Sequence, residues 1–175
     1  PVSGRVFGQG RLCTVVDESG STTFAYDRRG LVVSQSVVGS TADETGTLAY
    51  RHDAAGREVE VTYPSTDKIQ SVRNAAGRVT TLTWVPPVGS STTILSSITH
   101  KPFGPVTGFV TSGGATETRT YDTRYRRQSQ STVSGGVTRL SLAYDDGAVP
   151  PVGWDKEGNL LHLRDTTPGS GTAFD

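Results

Sequence analysis

Residues 48–63 read LAYRHDAAGREVEVTY, two alternating stretches set around HDAAGR. On the outgoing side Arg57, Val59, Val61 and Tyr63 fall on one face and Glu58, Glu60 and Thr62 on the other, the period-two pattern of a half-buried strand. Between the stretches Asp53 opens a four-residue turn and Gly56 closes it. An Asp in first place can accept hydrogen bonds from its own downstream backbone, and a Gly in fourth place takes positive φ without a Cβ clash. The segment predicts a β-hairpin closed by a type I turn and a glycine bulge. No window shows apolar residues at helical spacing.

The same phrase returns along the chain. It reads YDRRGLV from Tyr26 (Asp27, Gly30), RNAAGRV from Arg73 (Asn74, Gly77, Arg78), YDTRYRR from Tyr121 (Asp122) and WDKEGNL from Trp154 (Asp155, Gly158). Gly10, Gly30, Gly56, Gly77 and Gly104 follow one another at gaps of 20, 26, 21 and 27 residues. Each gap has room for two strands and an opposite turn. Those second turns fall at Asp17 to Gly20, Gly39 to Gly46, Pro64 to Asp67, Ser112 to Gly114 and Ser134 to Gly136, all rich in Gly, Ser, Asp or Pro. Repetition at this period predicts a hairpin array in which each unit covers its neighbour, here a continuous antiparallel meander. Gly56 and Gly77 are expected at positive φ, and the tandem alanines of their turns in solvent.

Tyr26-Asp27 with Gly30, Tyr50 with Asp53 to Arg57, and Tyr121-Asp122 resemble YD repeats of the RHS (rearrangement hotspot) type, and the resemblance runs from about Gly4 to Asp175. His52 and Arg73 stand where the repeat usually has Tyr, Asn74 replaces the Asp, and Tyr125 replaces the turn Gly. Such drift implies that the hairpin matters more than any one side chain. The resemblance implies an all-β fold, a strongly twisted, curved meander of hairpins from a spiral shell, with residues 1–175 as one array truncated at both ends. In bacterial toxins of this family such a shell encloses a C-terminal effector and helps deliver it. The implied function is therefore structural, in a secreted or cell-surface protein, with flanking repeats and an enclosed effector as partners. The alternative is a secreted or surface-attached module that binds carbohydrate or protein. The family's self-cleaving segment has no counterpart here, and no enzymatic activity is expected.

Composition agrees with many short strands joined by turns, and 175 residues suffice for a domain with its own core. Seventeen basic residues balance seventeen acidic ones, so no general attraction to nucleic acid or an anionic membrane is expected. Arg124, Arg126 and Arg127 cluster, as a solvated turn face or a phosphate site, and the face is the simpler account. No stretch approaches a membrane span. Met is absent, and the final GTAFD stops where the Thr22-to-Asp27 pattern would enter another turn, so a piece of a longer protein is expected. Its end strands, near Val6 and Phe174, would then be open to edge-to-edge self-association.

Candidate chemistry is sparse. Cys13 is the sole cysteine, which excludes an internal disulfide, and its apolar neighbours suggest a buried site. His52, His100 and His162 are dispersed without metal-ligand spacing, and the first two suit ring packing beside turns. Asp155 to Asn159 alternates oxygen ligands like a calcium loop but lacks the rest of one. Gly8-Gln9-Gly10 does not continue into a phosphate loop. No cofactor is implied. Tyr26, Tyr50, Tyr63, Trp84, Tyr121, Tyr144 and Trp154 could form a sugar-stacking surface or a ladder of rings stacked between hairpins, and the ladder is the simpler account. Trp84, mid-strand in TLTWVPP, escapes the ladder argument and is the candidate for ligand contact.

Overall fold

The computed structural model describes residues 7–41 and 44–169, with the backbone of 173–174. Among them lie fourteen strands and no α-helix. The chain divides into two compact units, Pro1–Thr92 and Thr93–Asp175. The first holds β1 (Thr14–Asp17), β2 (Gly20–Tyr26), β3 (Val32–Gly39), β4 (Gly46–His52), β5 (Glu58–Thr62), β6 (Lys68–Arg73) and β7 (Val79–Val85). Each pairs antiparallel with the next. The second holds β8 (Thr92–His100), β9 (Val106–Thr111), β10 (Thr116–Tyr121), β11 (Arg127–Ser134), β12 (Val137–Ala143), β13 (Leu163–Asp165) and β14 (Ala173–Phe174), again paired in sequence. The strand expected near Val6 lies outside the described residues.

One closure serves six repeat turns, from Asp27 to Asp155. The first residue's amide donates to the carbonyl beyond the turn, and the fourth residue's amide donates back to the first carbonyl. The two bonds measure 2.9 and 3.0 Å at Asp27–Gly30, 2.9 and 3.0 Å at Asp53–Gly56, and 2.9 and 2.8 Å at Asn74–Gly77. They measure 3.1 and 3.2 Å at Lys101–Gly104, 2.9 and 3.1 Å at Asp122–Tyr125, and 3.0 and 3.3 Å at Asp155–Gly158. The residue before each turn, its entry residue, pairs with an exit residue two places past the fourth position: Tyr26 with Val32, His52 with Glu58, Arg73 with Val79, His100 with Val106, Tyr121 with Arg127 and Trp154 with Leu160. In the first five copies the register shifts just before the entry residue, as a bulge requires.

Gly30, Gly56, Gly77 and Gly158 have φ of 85°, 79°, 81° and 96°, and Tyr125 takes the same left-handed region at 63° despite its side chain. Gly104 closes its turn with φ outside that range. Ala54, Ala55, Ala75 and Ala76 are exposed at the tips.

The core differs from the expectation drawn from chain length. Among the described residues the buried apolar side chains are Ile98 and Tyr121, while Val16 and Val38 lie 75% and 54% exposed. Each strand packs edge to edge with its neighbours, and no second layer of described residues covers either unit's faces. Cys13 is likewise half-buried rather than buried, its thiol donating to the Gly8 carbonyl at 3.2 Å.

Candidate functional site

The repeat turns carry the densest polar network. Asp27 Oδ1 accepts from the amides of Arg29 (2.8 Å) and Leu31 (3.0 Å), Asp53 Oδ1 from Ala55 (2.9 Å) and Arg57 (3.0 Å), and Asp122 Oδ1 from Arg124 (2.8 Å) and Arg126 (2.9 Å). Asp155 accepts from the amide of Asn159 at 2.7 Å, and Asn74, in the Asp place, from that of Arg78 at 3.1 Å. The second carboxylate oxygen takes an arginine Nε in three copies: Arg29 on Asp27 (3.0 Å), Arg57 on Asp53 (2.8 Å) and Arg126 on Asp122 (2.7 Å).

These bonds hold the carboxyls below the usual carboxylate range. At Asp53 the Arg57 amide contributes most and the Arg57 side chain adds to it. At Asp155 the Asn159 side chain and amide do the same. At Asp27 and Asp122 partial burial opposes ionisation, yet the surrounding donors outweigh it.

A second device joins one turn to the one before it. The entry residue's side chain donates to the exit carbonyl of the preceding turn: Tyr26 Oη to Leu12 at 2.6 Å, Arg73 Nη2 to Glu58 at 2.9 Å, Tyr121 Oη to Val106 at 2.8 Å and Trp154 Nε1 to Arg127 at 2.8 Å. Tyr, Arg and Trp share only a long side chain ending in a donor, which is what this rung demands. The expected ladder of stacked rings is thereby corrected. Among the described residues the stacked pair is Tyr144 with Trp154, with centroids 6.2 Å apart. The bulge aims these four entry side chains at carbonyls, so the rings of successive turns do not meet face to face. Tyr50 stands two residues before the entry residue His52, its hydroxyl donating to Gln35 Oε1 at 3.4 Å.

The turn glycines also make room. A Cβ on Gly77 would lie 2.2 Å from Arg57 Nη1, one on Gly30 2.1 Å from Arg11 Nη2, one on Gly104 2.2 Å from the Tyr125 ring, and one on Gly56 3.4 Å from Leu31. In the first unit the intruder is always the residue just after the preceding turn glycine. Arginines extend the contact: Arg29 Nη1 donates to the carbonyl of Asp53 at 2.6 Å, and Arg126 Nη1 to that of Asp155 at 2.8 Å.

Sites for small ligands are less developed. A cavity of 230 Å³ in the second unit is lined by Arg126, Gln128, Tyr144, Asp145 and Trp154 among others. Its aromatic surfaces are already engaged, with Arg126 over Trp154 at 5.9 Å and Arg127 over Tyr144 at 5.8 Å. Trp84 is 39% exposed with Nε1 donating to Asp67 at 3.1 Å, so its polar tip is spent within the sheet. Arg124, Arg126 and Arg127 disperse onto Lys156, Asp155 and Gln130 rather than converging on one point. Asp155 closes a hairpin turn with Asn159. Among the described residues no group of His, Cys, Asp and Glu could hold a metal ion, and no helix is long and apolar enough to cross a membrane.

The network is legible in part as turn chemistry, but the rungs escaped a reading that took Tyr as a packing ring. Their signal was present: the entry residues Tyr, His, Arg, His, Tyr and Trp all carry a donor.

No protein-family model and no curated protein matches this chain. Solved structures do. The crystal structure of TcdB2-TccC3 aligns with 90% of the chain at a TM-score of 0.77 and 18% identity, and that of TcdB2-TccC3-Cdc42 with 90% at 0.76 and 18%. The Tc holotoxin pore of Photorhabdus luminescens aligns with 90% at 0.76 and 16%. The chain spans 8% of the length of each of these proteins. At this identity the likeness is one of fold alone, an antiparallel array of hairpins.

Proposed function

We propose that this chain is a wall segment of an RHS-type shell, whose parent protein encloses a C-terminal effector and helps deliver it from a secreted or cell-surface location. The observation that carries the reading is the shared hydrogen-bonded closure of six turns, tied within each unit by side chains, and a fold that 90% of the chain shares with a Tc holotoxin component. A wall needs extended area more than a deep core, and the scarcity of buried side chains suits that task. In this role the residues of the turns are structural. Tyr26, Arg73, Tyr121 and Trp154 set the spacing of hairpins, Asp27, Asp53, Asn74, Asp122 and Asp155 hold the turns, and Gly30, Gly56, Gly77, Gly104 and Gly158 admit the neighbour. The partners are further repeats of the same polypeptide and the enclosed domain, and the segment itself performs no chemistry.

Limited proteolysis of the full-length parent tests the reading. The domain that follows the repeats is expected to resist protease while the repeats are intact and to be digested once they are deleted. Equal digestion in both proteins would refute enclosure.

A further inference from the structure

The junction between the Asp27 and Asp53 turns is built differently from the next one. Tyr26 and Arg73 each send a donor to an exit carbonyl of the preceding turn. His52, the entry residue between them, does not. Its Nδ1 is buried and has no hydrogen-bond partner. By the spacing of the other rungs its target is the Val32 carbonyl, yet His52 and Val32 instead line a shared cavity of 190 Å³ with Phe24, Gln35, Tyr50 and Glu58. An imidazole is shorter than a phenol or a guanidinium arm, and the rung is unmade.

The same junction carries a contact that the next one lacks. Arg29, third in its turn, reaches the carbonyls of Asp53 (2.6 Å) and Ala54 (3.3 Å) in the following turn. The third place of that following turn is Ala55, which has no arm to extend. The Arg29 side chain is 44% exposed. Water therefore competes for its bonds more than for the part-buried rungs of Tyr121 and Trp154.

We propose that Arg29 and an inward donor at position 52 are alternative ways of holding one junction, and that the junction between the β2–β3 and β4–β5 hairpins is a latch, closed by an exposed arginine and opened by its release. This holds whatever protein carries the chain. The cavity behind the latch gives the two hairpins room to part, and the unpartnered imidazole nitrogen gains a water when they do.

Hydrogen exchange read by mass spectrometry over residues 32–62 tests the latch in a double-mutant cycle. Arg29→Ala is expected to speed exchange there by roughly tenfold in the natural background and by less than about twofold when His52→Tyr supplies the rung. His52→Phe fills the cavity without a donor and should leave Arg29→Ala as damaging as before. An equal effect of Arg29→Ala in both backgrounds, or rescue by His52→Phe as complete as by His52→Tyr, overturns the proposal. Arg124 offers a comparison that does not depend on any variant at position 52, since it donates to Lys156 from the same third place while the Trp154 rung is intact. Arg124→Ala should therefore open its own junction less than Arg29→Ala does, and equal opening would also overturn the latch.

Discussion

Arg73 donates through Nη2 to the carbonyl of Glu58 at 2.9 Å and through Nη1 to that of Gly77 at 3.0 Å, so one guanidinium joins its own turn to the one before it. The residue that looked like decay of a Tyr position is thus a working substitute. Arg73→Tyr is expected to unfold in urea within about 0.5 kcal/mol of the natural chain, whereas Arg73→Leu should lose about 1 kcal/mol. Equal stability of the two variants would remove the rung from the account.

Tyr121 makes the same rung from a buried position, the residue only 8% exposed and its hydroxyl donating to the Val106 carbonyl at 2.8 Å. Removing the hydroxyl leaves a carbonyl without its donor where water enters poorly. Tyr121→Phe should cost about 1–2 kcal/mol in chemical denaturation. Tyr26→Phe, at an exposed hydrogen bond, should cost less.

Gly56 and Gly77 share a left-handed φ but differ in the space around them. A Cβ at Gly56 meets Leu31 at ordinary contact distance, so Gly56→Ala should cost about 1–2 kcal/mol from backbone strain alone. Gly77→Ala must also displace the end of Arg57. Thermal unfolding should rank Gly77→Ala below Gly56→Ala, and Arg57→Ala should close the gap between them.

The turn carboxyls make stability depend on acid. Asp53 has a folded pKa below its ordinary value because the Arg57 amide and side chain bond its ionised form. A depressed pKa means stability that is present above the unfolded value of about 3.9 and is lost as pH falls through the lower, folded one. The melting temperature should therefore fall below about pH 4 and stay flat above it. Asp53→Asn keeps the backbone acceptor, as Asn74 does, and should weaken that acid response by one turn's share. An unchanged pH profile for Asp53→Asn would show that the Asp53 carboxylate is not responsible.

Turn chemistry was readable because it is local. Asp27 to Gly30 and Asp53 to Gly56 contain their own donors, acceptors and left-handed residue within a few positions, and the glycine spacing then orders the hairpins. The rungs were not readable in this way, since Tyr26 meets Leu12 and Trp154 meets Arg127 only after two hairpins have taken register. His52 reads as a packed ring in the sequence, and only its place between Tyr26 and Arg73 reveals a missing bond. The expected core failed for a different reason. Chain length argues for a core only if a second layer covers the first, and nothing in the residues between Thr14 and Thr62 says whether it does.

The thinness of the sheet also governs how the chain meets heat. With Ile98 and Tyr121 as its buried apolar side chains among the described residues, unfolding releases little apolar surface to water. The heat capacity increment should then fall below the ordinary value of about 12–15 cal/mol/K per residue, a difference calorimetry resolves. Stability held by backbone bonds and arginine contacts changes slowly with temperature, so its curve should be broad and shallow, with cold as weak a threat as warmth.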